Sequence, residues 1–119
     1  MTTTETQRAE VADLLRTHAE RVSASVGAPL VGWTVLPAPC EGHDGRWNLS
    51  GHAQLPLPAT EHAAALARLR DAWTRLGYVV SDGATSALSP DDQVVVSVQS
   101  TRPATALALL LLSPCYPAT

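Results

Sequence analysis

Seven consecutive apolar residues, Ala106 to Leu112, most limit what this chain can fold into. Side chains alternate faces along a strand, so Ala106, Ala108, Leu110 and Leu112 would share one face and Leu107, Leu109 and Leu111 the other. A strand apolar on both faces belongs inside a sheet, not at its edge. The run falls far short of the about 20 residues that a membrane-spanning helix needs. A buried helix competes, because Leu and Ala favour helices. Ser113-Pro114 ends the run abruptly, and residues before a proline lean towards extended backbone, so the run is read as a strand.

A chain of 119 residues has room for one core, which predicts a single domain over residues 1–119 with a frayed start at 1–4. Hydrophobic content of 45% against 16% charge places it with folded chains, not disordered ones. A net charge of −3 with no polybasic run makes a nucleic-acid backbone or an anionic membrane surface a poor partner. All eight basic residues are Arg, Lys, Ile and Phe are absent, and Asn48 is the sole Asn. The missing residues have AT-rich codons, which points to a GC-rich bacterial genome.

The rest of the chain divides into alternating patterns. Val11, Leu14, Leu15, His18, Val22 and Val26 recur at helical spacing. They predict a helix over about 5–25, opened by a Thr4–Gln7 capping box and ended by Gly27 and Pro29. His18 beside that stripe is read as a packed, hydrogen-bonded histidine. Leu30 to Leu36 reads as a strand stopped by Pro37 and Pro39. Arg46 to Leu55 alternates most cleanly, with Trp47, Leu49, Gly51, Ala53 and Leu55 on one face. The other face carries Arg46, Asn48, Ser50, His52 and Gln54, so one side meets the core and one meets water. After Pro56 and Pro58, Thr60 is expected to cap a helix with the stripe Leu66, Leu69, Trp73 and Leu76, ended by Gly77. Tyr78 to Leu88 is extended, with Asp82-Gly83 as a turn or bulge signal. Ser89-Pro90-Asp91-Asp92 is a tight turn, and Gln93 to Thr101 is a strand with Val94, Val96 and Val98 inward.

Cys40 and Cys115 are the simplest disulfide inventory, and each follows a proline. A reactive thiol is the alternative, but neither cysteine has Cys-X-X-Cys spacing or a helix N-terminus to lower its pKa. Two unpaired buried thiols are the remaining reading. A bridge would close a loop of about 75 residues, worth roughly 4 kcal/mol in the chain-entropy model, and would imply an oxidising compartment. The opening MTTTETQ contains no charged-then-apolar leader, so either the protein is cytoplasmic or a leader has been removed.

The element order predicts an α+β, two-layer sandwich: two helices on one face of a mostly antiparallel five-stranded sheet. Both cysteines follow the ends of strands, the first and the last. A bridge would bring those ends together if the strands lay parallel and adjacent. With strands numbered along the chain, the expected order is 2-1-5-4-3, which also centres the apolar last strand. The helix-free face would then carry Arg46, Asn48, Ser50, His52, Gln54, Ser97 and Gln99, together with half of the last strand's leucines. An apolar stripe within a polar open face marks a binding surface, unless the N-terminal segment or a loop covers it.

Chemistry is sparse. Glu41, His43, Asp44 and His52 are the only compact group of potential metal ligands, but their spacing matches no metal motif and a solvated loop explains them equally. The chain has no Gly-x-Ser-x-Gly elbow, phosphate loop or His-Glu-x-x-His. Adjacent Glu61 and His62 would point about 100° apart on a helix, a poor acid–base pair. No catalytic residues, metal or cofactor are therefore assigned.

The run Ala72-Trp73-Thr74-Arg75-Leu76-Gly77-Tyr78-Val79-Val80, the following meander, Ser113-Pro114-Cys115-Tyr116, and Pro39-Cys40 before Gly45-Arg46-Trp47 resemble small secreted proteins and putative lipoproteins of actinobacteria. The similarity covers about residues 30–117. It implies export and a Cys40–Cys115 disulfide, and it implies no activity. The sequence-level reading is a non-enzymatic cell-envelope or secreted binding domain, monomeric or weakly oligomeric. It would use Arg46, Asn48, Ser50, His52 and Gln54 against a protein or small-molecule partner. The alternatives are an immunity or anti-toxin protein, and a metal-dependent hydrolase built on the 41–52 region.

Overall fold

A computed structural model describes residues 3–40, 45–81 and 85–117 of the chain. Helix α1 spans Thr3–Val26 and strands β1 and β2 span Val31–Pro39 and Arg46–Pro56. A 3₁₀ turn, Ala59–Glu61, leads into helix α2, His62–Arg75. Strands β3 (Val79–Val80), β4 (Ser86–Leu88), β5 (Val95–Ser100), β6 (Ala106–Leu112) and β7 (Tyr116–Pro117) complete the fold. The α+β class holds, with both helices packed against an antiparallel sheet. Two details of the expected architecture do not. The sheet has seven strands instead of five, because Tyr78–Leu88 divides into the β3–β4 hairpin and Tyr116–Pro117 adds a short pairing to β2. The strand order is β1-β2-β6-β5-β4-β3, so β2, not β1, lies beside β6.

The prolines of β1 explain that correction. They were expected to stop the strand, yet Pro37 pairs with Leu49 and Pro39 with Trp47 inside it. The Cys40 N–H donates to the Arg46 carbonyl, so the even-numbered residues of β1 turn their backbone groups towards β2. The backbone groups of residues 35, 37 and 39 therefore point to the free edge of the sheet, and of these only Val35 has an N–H. A proline that donates nothing is tolerated at an edge and not in a sheet interior. The β1–β2 register shifts by one residue between Val31 and Thr34, and Gly32 there adopts φ +70° as a bulge glycine can.

The cystine joins Cys40 and Cys115, 6.2 Å apart at Cα and 75 residues apart in sequence. Adjacent parallel strands are not what brings the cysteines together. β1 and β7 flank the start of β2 on opposite sides, and the bridge straps across it. One extra residue between β6 and β7 shifts the register along β2 and helps bring Cys115 in.

The core lies between the sheet and the helices. Leu107, Leu109 and Leu111 of β6, Val96 and Val98 of β5, and Leu49, Ala53 and Leu55 of β2 are buried there. They meet Val11, Leu15, Val22 and Val26 from α1. The buried residues of α2 are His62, Ala65, Leu69 and Trp73, whereas Leu76, expected in the stripe, is exposed. Thr60 does not cap this helix, because the 3₁₀ turn places Glu61 at the boundary without a side-chain cap. The C-terminal end is as expected. Gly77 takes φ +85°, its N–H bonds to the Thr74 carbonyl, and the Tyr78 N–H bonds to the Trp73 carbonyl, a Schellman closure.

Candidate functional site: the open sheet face

The face of the sheet away from the helices follows directly from the strand registers. Leu36 pairs with Ser50, Ser50 with Leu112, Leu112 with Val95, Val95 with Leu88, and Leu88 with Val79. These six residues form one row across six strands, about 25 Å long at the usual strand spacing. Five of the six are aliphatic, and those five are 37–68% exposed. Leu110, in the next row, is 43% exposed, so the apolar surface widens along β6. The next row is polar around that leucine: Thr34, His52, Ser97 and Ser86 flank it through consecutive pairings.

All five polar residues singled out on β2 lie on this face. Arg46 and Gln54 are exposed, and Asn48, Ser50 and His52 are half-buried. Ser50 Oγ and His52 Nε2 are hydrogen-bonded at 3.0 Å, and Ser50 also reaches the Leu36 carbonyl at 3.4 Å. An open groove of about 480 Å³ runs beside them, lined among others by His52, Gln54, Ser97, Gln99, Ala108 and Leu110. Among the described strand residues of this face, Arg46 and His52 are the only ionisable groups. Most of the described charged residues lie on the helices: Glu5, Arg8, Glu10, Asp13, Arg16, Glu20 and Arg21 on α1, Arg68, Arg70, Asp71 and Arg75 on α2. The face is therefore apolar along one row, neutral and hydrogen-bonding around it, and nearly free of formal charge.

A second polar constellation lies on the helix side. His18 is 3% exposed, with Nε2 donating to Asp92 Oδ2 at 2.9 Å and Nδ1 bonded to the Tyr78 hydroxyl. Arg21 Nη1 donates to that hydroxyl at 3.3 Å. Ser89 donates to Asp92 Oδ1 and receives the Val94 N–H at 2.8 Å. Burial raises the Asp92 carboxyl pKa, but hydrogen bonds from Ser89 and His18, the charge of His18 and a backbone N–H outweigh it and leave it below 3.8. Each polar atom is engaged within the protein, so Ser89 and His18 are not poised as nucleophile and base. The network ties α1 to the β3 entry and the β4–β5 turn. Nothing in the spacing of residues 18, 78, 89 and 92 announces it.

The remaining singled-out residues are structural where described. His62 Nε2 donates to the Leu57 carbonyl at 2.8 Å and Nδ1 bonds to Ser100 Oγ at 2.8 Å, whereas Glu61 is exposed. Trp47 packs under Arg8 and beside Tyr116, and Trp33 lies over Gly51 with Arg16 above it. Glu41, His43 and Asp44 lie outside the described residues, and so does the Asp82-Gly83 turn. No group of three His, Cys, Asp or Glu suited to a metal occurs among the described residues. No described helix is long and apolar enough to cross a membrane.

Fold and surface thus define an α+β domain with one charged, helix-covered side and one open sheet face whose described strand residues carry little formal charge. Compared with protein-family models, curated proteins and solved structures, the chain matches none.

Proposed function

We propose that this chain is a non-enzymatic binding domain of the cell envelope or extracellular space, working through its open sheet face. The observation that carries the reading is the row from Leu36 to Val79: five exposed aliphatic side chains in register across the sheet. Single exposed leucines need no explanation, but a contiguous row rimmed by polar groups is the composition of a contact surface. Arg46, Asn48, Ser50, His52 and Gln54 are the polar contacts beside it. The Cys40–Cys115 disulfide supports an oxidising location, as does the resemblance to secreted actinobacterial proteins.

Site-resolved photo-crosslinking in living cells tests this reading. A photo-reactive residue at Gln54 should give a discrete adduct, and one at Arg70 on the helix side should not. Alanine at Arg46, Asn48 and His52 should reduce the Gln54 adduct. Adducts arising from Arg70 alone would remove the open face from consideration.

A further inference from the structure

Resting on that reading of the face, we propose that its occupant is a second copy of this chain, packed sheet against sheet about a two-fold axis. The axis lies in the interface, parallel to the strands, between β5 and β6. Three observations select this partner.

The first is charge. A heterologous partner is normally steered and selected by opposite charge, and like charges placed face to face are costly. Among its described strand residues this face offers Arg46 at one margin and no carboxylate, so two copies meet without repulsion. Interface cores are depleted of charge in the same way, with polar groups at the rim.

The second is self-complementarity. An isologous contact needs a patch that matches itself after a half-turn. Leu112 and Val95 are register partners on the two middle strands of the six. A half-turn about a line between them sets Leu112 on the partner copy's Val95, Leu36 on its Val79, and Ser50 on its Leu88. The aliphatic row therefore falls on its own image. The neighbouring row does the same, setting His52 near Ser86 and Thr34 near Ser81, where hydroxyl and imidazole groups can pair. Two twisted sheets packed in this way cross at about 30°, the aligned sandwich geometry.

The third is size. Two full rows and the β6–β5 part of a third, at the usual spacings, give a face of roughly 450 Å², so two copies bury about 900 Å² in total, close to the lower bound for a specific interface. That area predicts reversible association in the micromolar range and not an obligate dimer.

Sedimentation equilibrium of the disulfide-intact chain, from low micromolar to submillimolar concentration, decides the matter. Wild type should pass from 12.5 kDa to twice that mass. Leu112→Arg and Val95→Arg each place a charge at the axis and should weaken the dimer about tenfold or more. Both positions are already exposed, so both variants should keep the wild-type circular dichroism spectrum. Leu76→Arg, at a still more exposed position at the end of α2, should leave the dimer unchanged. A wild type monomeric throughout, or a dimer insensitive to both arginines, overturns the proposal. So does a monomer that binds phosphatidylcholine vesicles, which would assign the face to lipid. A monomer whose Gln54 crosslinks still form with another protein overturns the dimer and leaves the binding face standing. A dimer that survives both arginines, together with crosslinks confined to Arg70, removes both readings.

Discussion

Replacing Gly51 with alanine tests how β1 is held on the sheet, through the sign of the effect. Alanine loses less backbone freedom on folding than glycine, so with free space around it the substitution would stabilise a strand by roughly 0.5–1 kcal/mol. Gly51 has no positive φ to oppose the change. Space is what it lacks. An added Cβ would stand 2.5 Å from Trp33 Cη2 and 3.0 Å from Cζ3. Ordinary carbon–carbon contact is about 3.5–4.0 Å, so the overlap is about 1 Å. The indole is rigid and has the Arg16 guanidinium 5.9 Å from its centroid, so relief requires the whole ring or β1 itself to shift. Overpacking of this kind costs about 1–3 kcal/mol, which leaves Gly51→Ala destabilising despite its entropic gain. In a Trp33→Ala background the obstacle is gone, and the same substitution should stabilise by roughly 0.5–1 kcal/mol. Urea unfolding of the four proteins in the cycle, compared at a common slope, gives the coupling directly. An effect of the same sign and size in both backgrounds would refute the packing argument.

Other perturbations have equally definite outcomes. Replacing Cys40 and Cys115 together with alanine should cost about 4 kcal/mol by freeing a 75-residue loop in the unfolded chain. For a chain of this length that is a fall of about 15 °C in Tm, and a loss under 1 kcal/mol would show the strap to be incidental. The Asp92 carboxyl titrates below its ordinary 3.8 in the folded state, so its contribution is complete above that pH and is lost as pH falls through the folded value. Thermal scans should show wild-type stability dropping below pH 4, with a shallower drop in Asp92→Asn; parallel profiles would contradict the network. His62→Ala leaves the Leu57 carbonyl and Ser100 without their partner and should cost about 1–3 kcal/mol, measured by urea unfolding. Burial, and then the charge of Asp92, raise the Tyr116 phenol above 10.0. Ultraviolet titration of a Tyr78→Phe variant should place its ionisation there, and a midpoint below 10 would disagree.

What was legible in the chain was what is local. The unbroken apolar run of β6 demanded an interior position, and β6 is flanked by β2 and β5. The alternation of Arg46–Leu55 assigned each residue of β2 to its face, because a period of two leaves no second register once one face is buried. Gly77 announced its helix end because the Schellman closure needs only neighbouring residues. The strand order was not legible from the cysteines, because a disulfide constrains two points and not the strands between them. The decisive signal was Pro37 and Pro39, which mark an outer edge when read as part of a strand instead of its end. In α2 the bulky residues drew the eye to Leu76, whereas the packed face runs through His62 and Ala65. At the open face the polar set on β2 was readable from alternation alone. The aliphatic row was only half readable, because Leu36, Leu88 and Val79 join Leu112 through pairings between distant segments.

The two prolines of β1 also govern what kind of assembly this chain can enter. Backbone pairing between copies has no natural end: each added strand exposes another edge, and growth continues as a ribbon. Along the outer side of β1, Pro37 and Pro39 remove two of the donors that such growth needs, and at the opposite edge β3 is only two residues long. Contact through the sheet face is finite instead, since two copies placed face to face consume the surface that brought them together. In the proposed face-to-face pairing, the long row of exposed aliphatic side chains is used up at two copies, and growth has no further surface to follow.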